Sequence, residues 1–495
     1  MVAGGGGPLV SPEKEPHEML GPPPYSRRGV LRAGAIAGLS MLALPGGRCR
    51  AVTGATITGP LADTPTQGVL VWDVRGLGYV AEEYLLSGRA DVYRPVTMAD
   101  APDVASRDNT KDLGVRDFSR EVIETGQPFT TRLIVYRPRD PRRFSGMGVV
   151  ETLHPNGGGT SLAWRALSEF FAAHGDLYVG VQHPLTFAGL QSADPGRYAA
   201  LAARSPTQLW GMLSQAGAIL KAPAAHGPLQ GYAARRLLMT GYSYTGVATA
   251  TFANYHHATA RLDGHPIFDG YLPMADAQYV RPLDVPVMRM NTQSDFNGFG
   301  GLSNRRPDDA LYRHYEIAGA AHVALPPPPG HGIAPAAGKI PTPSGQPHFS
   351  EVECRAGFPQ GSRANDYPLD LVQAAMFDNM YQWMESRRAP PASALIEVQA
   401  DGNVQADQWG NALGGVRYPQ LTVPIARYGV GAPGPCLLFG YTAPLAREVC
   451  KTLHGDHANY VAKVHAAAEG LVEAQLLLRA GAERLVANAR GDQTF

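Results

Sequence analysis

The stretch Arg236-Leu237-Leu238-Met239-Thr240-Gly241-Tyr242-Ser243-Tyr244-Thr245-Gly246 runs from an apolar strand into a tight turn and on into a helix of small residues. In that strand-turn-helix context a serine is held exposed at the top of a sheet, which makes Ser243 the expected nucleophile. Gly241 and Gly246 let the turn tighten and let the helix approach the strand without side-chain clashes. The pattern departs from G-x-S-x-G, because Thr245 stands where the second glycine belongs and Gly246 comes one residue later. Taken without its surroundings, the hexapeptide also fits an ordinary serine in a strand-helix turn.

A serine hydroxyl is a poor nucleophile at neutral pH. It needs an imidazole to take its proton, and the imidazole needs an acceptor that fixes its tautomer. Both residue types follow downstream at strand ends. Asp295 comes just after the apolar run Val285 to Met290, where a loop leaves the carboxyl end of the sheet. His322 follows the strand Tyr312 to Ile317 through Gly319-Ala320-Ala321, whose small side chains leave room for the ring to reach the serine. The order serine, aspartate, histidine differs from those of the chymotrypsin and subtilisin classes. Asp269, Asp276, Asp308 and Asp309 compete for the role of acid, and His314, His256 and His257 for that of base. Of these, His314 alternates within a strand and reads as a packing residue. His256 and His257 fall on the helix after the turn, at its surface or packed against it. For a developing oxyanion, the backbone N–H of Tyr244 is the first donor by position. A second is expected from the loop His154-Pro155-Asn156-Gly157-Gly158-Gly159, with Asn156 and Gly157 as candidates; a flexible turn is the alternative.

Outward from this centre, strands and helices alternate. Upstream lie the strand Gly148 to Leu153, a helix from Trp164 to His174, the strand Leu177 to Val181 and a helix around Gln208 to Leu220. Such alternation predicts an α/β fold with a mostly parallel central sheet. Earlier still, Val69 to Trp72, Gly78 to Leu86 and Phe129 to Tyr136 are β-rich stretches broken by turns. Pro326 to Pro347 is a Pro/Gly-rich connection too broken to pack as core. A helix from Leu369 to Arg387, a polar segment from Asp407 to Pro419 and apolar helices from about Ala458 to Ala487 complete a helical C-terminal extension.

At the N-terminus, Ser26-Arg27-Arg28-Gly29-Val30-Leu31-Arg32 precedes the modest apolar run Ala33 to Leu44, and reads as a twin-arginine export signal. A single anchoring helix is the alternative. The expected division is therefore an export signal over residues 1–55 and one catalytic domain over 56–495. That domain has a β-rich portion at about 66–150, a core at about 146–330 and an extension at about 350–495. Lys+Arg and Asp+Glu each count 43, so nothing in the overall charge calls for nucleic acid or an acidic membrane surface as a partner. Cys49, Cys354, Cys436 and Cys450 are well separated and form no CxxC pair, so no metal site and no cofactor is expected. Cys436 and Cys450 are near enough in sequence to close one disulfide outside the cytoplasm, or to remain two free thiols.

Residues along nearly the whole chain after the signal resemble the "alpha/beta hydrolase domain" family of exported bacterial proteins. The likeness is carried by Gly78 to Tyr84 with Ser87-Gly88, Val149 to Glu151, Tyr178 to Val181, Asp194 to Tyr198, Gly241 to Gly246, Thr292 to Asp295, Tyr315 to His322 and Gly410 to Pro419. The resemblance implies an α/β-hydrolase fold and a serine hydrolase without cofactor. In the family the turn looks like G-x-S-x-S-G or a close variant, which makes Thr245 a mild change, and Gln293 stands where relatives often carry a glutamate. The expected activity is cleavage of a carboxylic ester, in a small molecule or a polymer, through an acyl-serine. Lactone, amide and polyester cleavage, a lyase reusing the same serine and histidine, and a non-catalytic secreted binding protein are the alternatives. The family does not say what Gly410 to Pro419 does; a pocket wall and a structural turn are both open.

Overall fold

The computed structural model describes residues 54–62, 74–96, 118–155, 159, 161–224, 227–276, 278–298, 301–323, 357–431 and 438–495, all within the contact-defined unit Cys49–Phe495. Residues 1–53 of the expected export signal, Val69 to Trp72, the connection Pro326 to Pro347 and three of the four cysteines, Cys436 among them, lie outside the described residues.

Nine strands make the central sheet among the described residues. They are β1 (Thr56–Thr58), β2 (Tyr79–Tyr93), β3 (Val122–Pro138), β4 (Met147–Leu153), β5 (Leu177–Gln182), β6 (Arg236–Tyr242), β7 (Gly270–Met274), β8 (Val287–Thr292) and β9 (Tyr312–Ile317). Their spatial order is β1-β2-β3-β5-β4-β6-β7-β8-β9. β1, β2, β3 and β5 pair antiparallel, whereas every neighbour from β5 through β4 to β9 is parallel. β4, β5, β7 and β8 are buried at every residue, as expected of parallel strands covered on both faces.

Alternate side chains feed two cores. Val149, Leu238, Leu272 and Met288 face helix α1 (Leu162–His174) and the long helix α5 (Leu369–Ser386). Val150, Leu237, Met239 and Tyr271 face α2 (Leu209–Lys221) and α3 (Tyr244–Tyr255) on the other side. The strand order reverses where β5 and β6 flank β4, and ligands of open α/β sheets bind at the carboxyl ends of strands at such a reversal.

Some expectations from sequence are corrected. β7 was not anticipated, because Gly270-Tyr271-Leu272-Pro273-Met274 is short and its proline lacks a ladder donor. It nonetheless lies between β6 and β8, with Pro273 opposite Gly241. α3 begins at Tyr244, before Gly246 rather than after it, and ends at Tyr255, so His256 and His257 follow the helix and are buried. The segment Gly410 to Pro419 covers a sheet edge. Val416 N donates to Glu316 O at 2.8 Å and Ala318 N donates to Val416 O at 3.2 Å, so this segment continues the pairing beyond β9. Beyond α4 (Gln293–Gly298) and α5, the extension holds α6 (Arg447–His454), α7 (His457–Glu473) and α8 (Arg479–Gly491) with a small three-stranded sheet. No helix among the described residues is long and apolar enough to cross a membrane.

Candidate active site

Ser243 joins β6 to α3 with φ 61° and ψ −127°, a strained conformation for a residue with a Cβ. Neighbouring backbone leaves no alternative to glycine on either side. A Cβ on Gly241 would lie 2.1 Å from Thr245 O, and one on Gly246 would lie 2.2 Å from Met274 O. Thr245, the departure from the usual pattern, stabilises the turn: its Oγ1 accepts from Tyr242 N at 2.9 Å and donates to Tyr242 O at 2.9 Å. Thr245→Val keeps the shape but leaves a buried N–H unpaired, so denaturant unfolding should show a loss of about 1–3 kcal/mol. Thr245→Ser should stay close to wild type, and an unchanged Val variant would mean the hydroxyl does not hold the turn.

The sequence-derived partners converge on this serine. His322 Nε2 lies 2.8 Å from Ser243 Oγ, and His322 Nδ1 lies 2.5 Å from Asp295 Oδ1. Asp295 is fully buried in the first turn of α4, and its Oδ2 accepts from Thr292 N and Thr292 Oγ1, each at 2.7 Å. Two further residues, not recognised from sequence, set the histidine loop. Tyr242 OH donates to His322 O at 2.6 Å, and burial holds its phenol well above the ordinary value, so it stays a donor. Gln293 Oε1 accepts from Gly319 N at 2.7 Å. The signal for Gln293 was its place two residues before Asp295; Tyr242 carried none.

Most of the competitors have partners elsewhere. Asp276 pairs with buried Arg289 at 2.9 Å, Asp269 accepts from Leu237 N at 2.7 Å, Asp309 pairs with Arg306 at 2.6 Å and Asp308 accepts from Ser393 N at 2.9 Å. His256 stacks on Trp210, His257 bonds Tyr271 OH at 2.9 Å, and desolvation holds the buried His314 well below its usual pKa.

Tyr244 opens α3 and is buried, its ring met edge-on by His154 and His183 at 6.2 and 5.6 Å. Asn156 and Gly157 lie outside the described residues. At the base of their loop, Glu151 of β4 accepts from Leu162 N and Ala163 N at 3.1 and 3.3 Å and from Tyr178 OH at 2.5 Å. Burial pushes this carboxyl up to about 8 against the pull of those donors. The folded protein therefore keeps a proton that the unfolded chain releases, and stability should fall as pH rises from about 4.5 toward 8. Glu151→Gln should flatten that slope in unfolding measurements at pH 5 and pH 8; equal slopes would mean the carboxylate is already ionised when folded.

A family model described as an alpha/beta hydrolase domain matches residues 50–487. The chain belongs to this family. No curated protein sequence matches this alpha/beta hydrolase. Among solved structures it is similar to a protein from Xanthomonas campestris described as a serine hydrolase without lid, at 10% identity and TM-score 0.25, over 38% of this chain and 78% of that one. It is also similar to the rice cell wall degrading esterase LipA of Xanthomonas oryzae, at 12% identity and TM-score 0.21, over 40% of this chain and 43% of that one. A third similarity is to the esterase Est22, at 11% identity and TM-score 0.26, over 48% and 72% of the two chains.

Proposed function

We propose that this alpha/beta hydrolase is a serine hydrolase that cleaves a carboxylic ester, small or polymeric, through an acyl-Ser243 intermediate. The supporting observation is the continuous hydrogen-bonded chain from Ser243 Oγ through both ring nitrogens of His322 to Asp295. His322 takes the serine proton as Oγ attacks the carbonyl carbon, then gives that proton to the leaving alcohol oxygen. Asp295 holds the proton-bearing Nδ1 and stabilises the imidazolium. The Tyr244 amide, with Asn156 and Gly157 of the glycine loop, receives the oxyanion. Water activated by the same imidazole then releases the acid and regenerates Ser243.

Incubation with a fluorophosphonate should label Ser243 alone, as read by peptide mass spectrometry, and block hydrolysis of short aryl esters. Absence of labelling would sink the serine mechanism and favour a binding protein on a hydrolase fold. A panel of esters, lactones and amides assigns the bond cleaved.

A further inference from the structure

The loop that carries His322 has few anchors of its own. No side chain in Gly319-Ala320-Ala321 is longer than a methyl group, and Gly319 stands at φ +76°, so the loop needs ties from outside to fix the imidazole. Gln293 and Tyr242 hold it from the sheet, at Gly319 N and His322 O. Residues beyond position 357 in the chain hold it from the other side. Glu316 N donates to Ala394 O at 2.9 Å just before the loop, and Val323 N donates to Leu438 O at 2.9 Å directly after His322. Between these points Asn365 Nδ2 donates to Gly319 O at 2.9 Å. A Cβ on Gly440 would lie 2.7 Å from that of Ala321, and one on Gly319 would lie 2.9 Å from Leu421 Cδ2, so extension and loop are in close contact.

Of these three hydrogen bonds from the extension, that of Asn365 is the one made by a side chain, and the side chain is buried. Its Oδ1 accepts from Tyr367 N at 3.2 Å, and its Nδ2 also reaches Gly429 O at 3.4 Å. Carbonyls on one side and an N–H on the other leave the carboxamide a single orientation. The backbone N–H of Asn365 donates to Gly440 O at 2.9 Å. Asn365 therefore joins the small three-stranded sheet of the extension, formed by Arg363–Ala364, Tyr441–Pro444 and Ala426–Gly429, to the residue three before His322.

A general base is effective when its nitrogen is already aimed at the proton it removes, and a misplacement of about 1 Å can cost about 100-fold. We propose that Asn365 is a positioning residue for His322, and that through it the C-terminal extension sets the place of the general base as well as covering the sheet edge. The proposal rests on the serine-hydrolase reading above.

Asn365→Ser keeps a hydroxyl to accept from Tyr367 N, as serine does in such turns, but is too short to reach Gly319 O. Asn365→Ala removes both contacts. Thr442→Val is the control: the Thr442 hydroxyl bonds Asp366 within the same three-stranded sheet, so its loss loosens the extension without breaking a hydrogen bond to the histidine loop. In the full chain, with sites counted by fluorophosphonate titration run to completion, both Asn365 variants should lower kcat per site on a short aryl ester by about 10- to 100-fold, with KM within about twofold. The rate constant of fluorophosphonate labelling should fall by a similar factor, because the same base activates Ser243 in that reaction. Thr442→Val should lower the melting temperature while kcat per site stays within about twofold of wild type. Unchanged kcat per site in the Asn365 variants, a change confined to KM, or an equal loss of kcat in Thr442→Val would overturn the proposal while leaving the serine mechanism intact. So would a failure of both Asn365 variants to yield titratable protein, since the residue would then serve folding alone. A wild-type chain that neither reacts with the fluorophosphonate nor cleaves any ester would remove the serine mechanism, and the positioning role with it.

Discussion

Ser243→Ala is expected to lower kcat on a short aryl ester by about 10⁶-fold, with a residue of about 10³-fold over water left by binding and the oxyanion donors. The expectation follows from position: Ser243 Oγ is the atom that His322 Nε2 meets, at 2.8 Å. His322→Ala should cost a similar factor, and combining the two should cost little more, because a nucleophile without its base and a base without its nucleophile fail at the same step. Folding should survive, since alanine meets the same positive φ of 61° that serine already tolerates. Steady-state kinetics alongside circular dichroism checks this. More than about one per cent of wild-type activity in a folded Ala variant would show that another group attacks the substrate.

Asp295→Asn should lower kcat by about 10⁴-fold without altering the fold. Oδ2 of Asp295 already accepts two hydrogen bonds from Thr292, so the amide oxygen of the variant would take that place and its NH₂ would face His322 Nδ1. A donor at that point turns Nδ1 into an acceptor and puts the ring proton on Nε2, where it can no longer accept the proton of Ser243. The expected signature is a collapse of kcat with KM little changed. A fall of less than about tenfold would move the acid role away from Asp295.

Much of this arrangement was legible in the amino-acid order because local chemistry wrote it there. An apolar strand, a glycine-flanked serine and a small-residue helix specify the strand-turn-helix over Arg236 to Gly246 within a few residues. The run Tyr312 to Ile317 matches β9 residue for residue, since alternation and a following glycine turn are local signals. Asp295 and His322 were found by their places at strand ends.

Other features depend on residues far apart in the chain. β7 carries a proline that speaks against a strand, and only its pairing with β6 and β8 overrides that signal. Gly410 to Pro419 has no periodic pattern, and its role as an edge cover exists only where it meets Glu316 and Ala318. Tyr242 looks unremarkable in sequence, because its hold on the histidine loop comes only from the carbonyl of His322 that its hydroxyl reaches.

By itself, then, the sequence determined the fold class, the strand-turn-helix around Ser243 and the order of its partners, since each follows from contacts within one element or its two neighbours. Tertiary structure alone decided that Ser243, His322 and Asp295 lie within hydrogen-bond reach, that Thr245 tightens rather than loosens the turn, and which side chains bond the backbone of the histidine loop. Those distances depend on the packing of strands separated by tens of residues, and no local propensity encodes such packing.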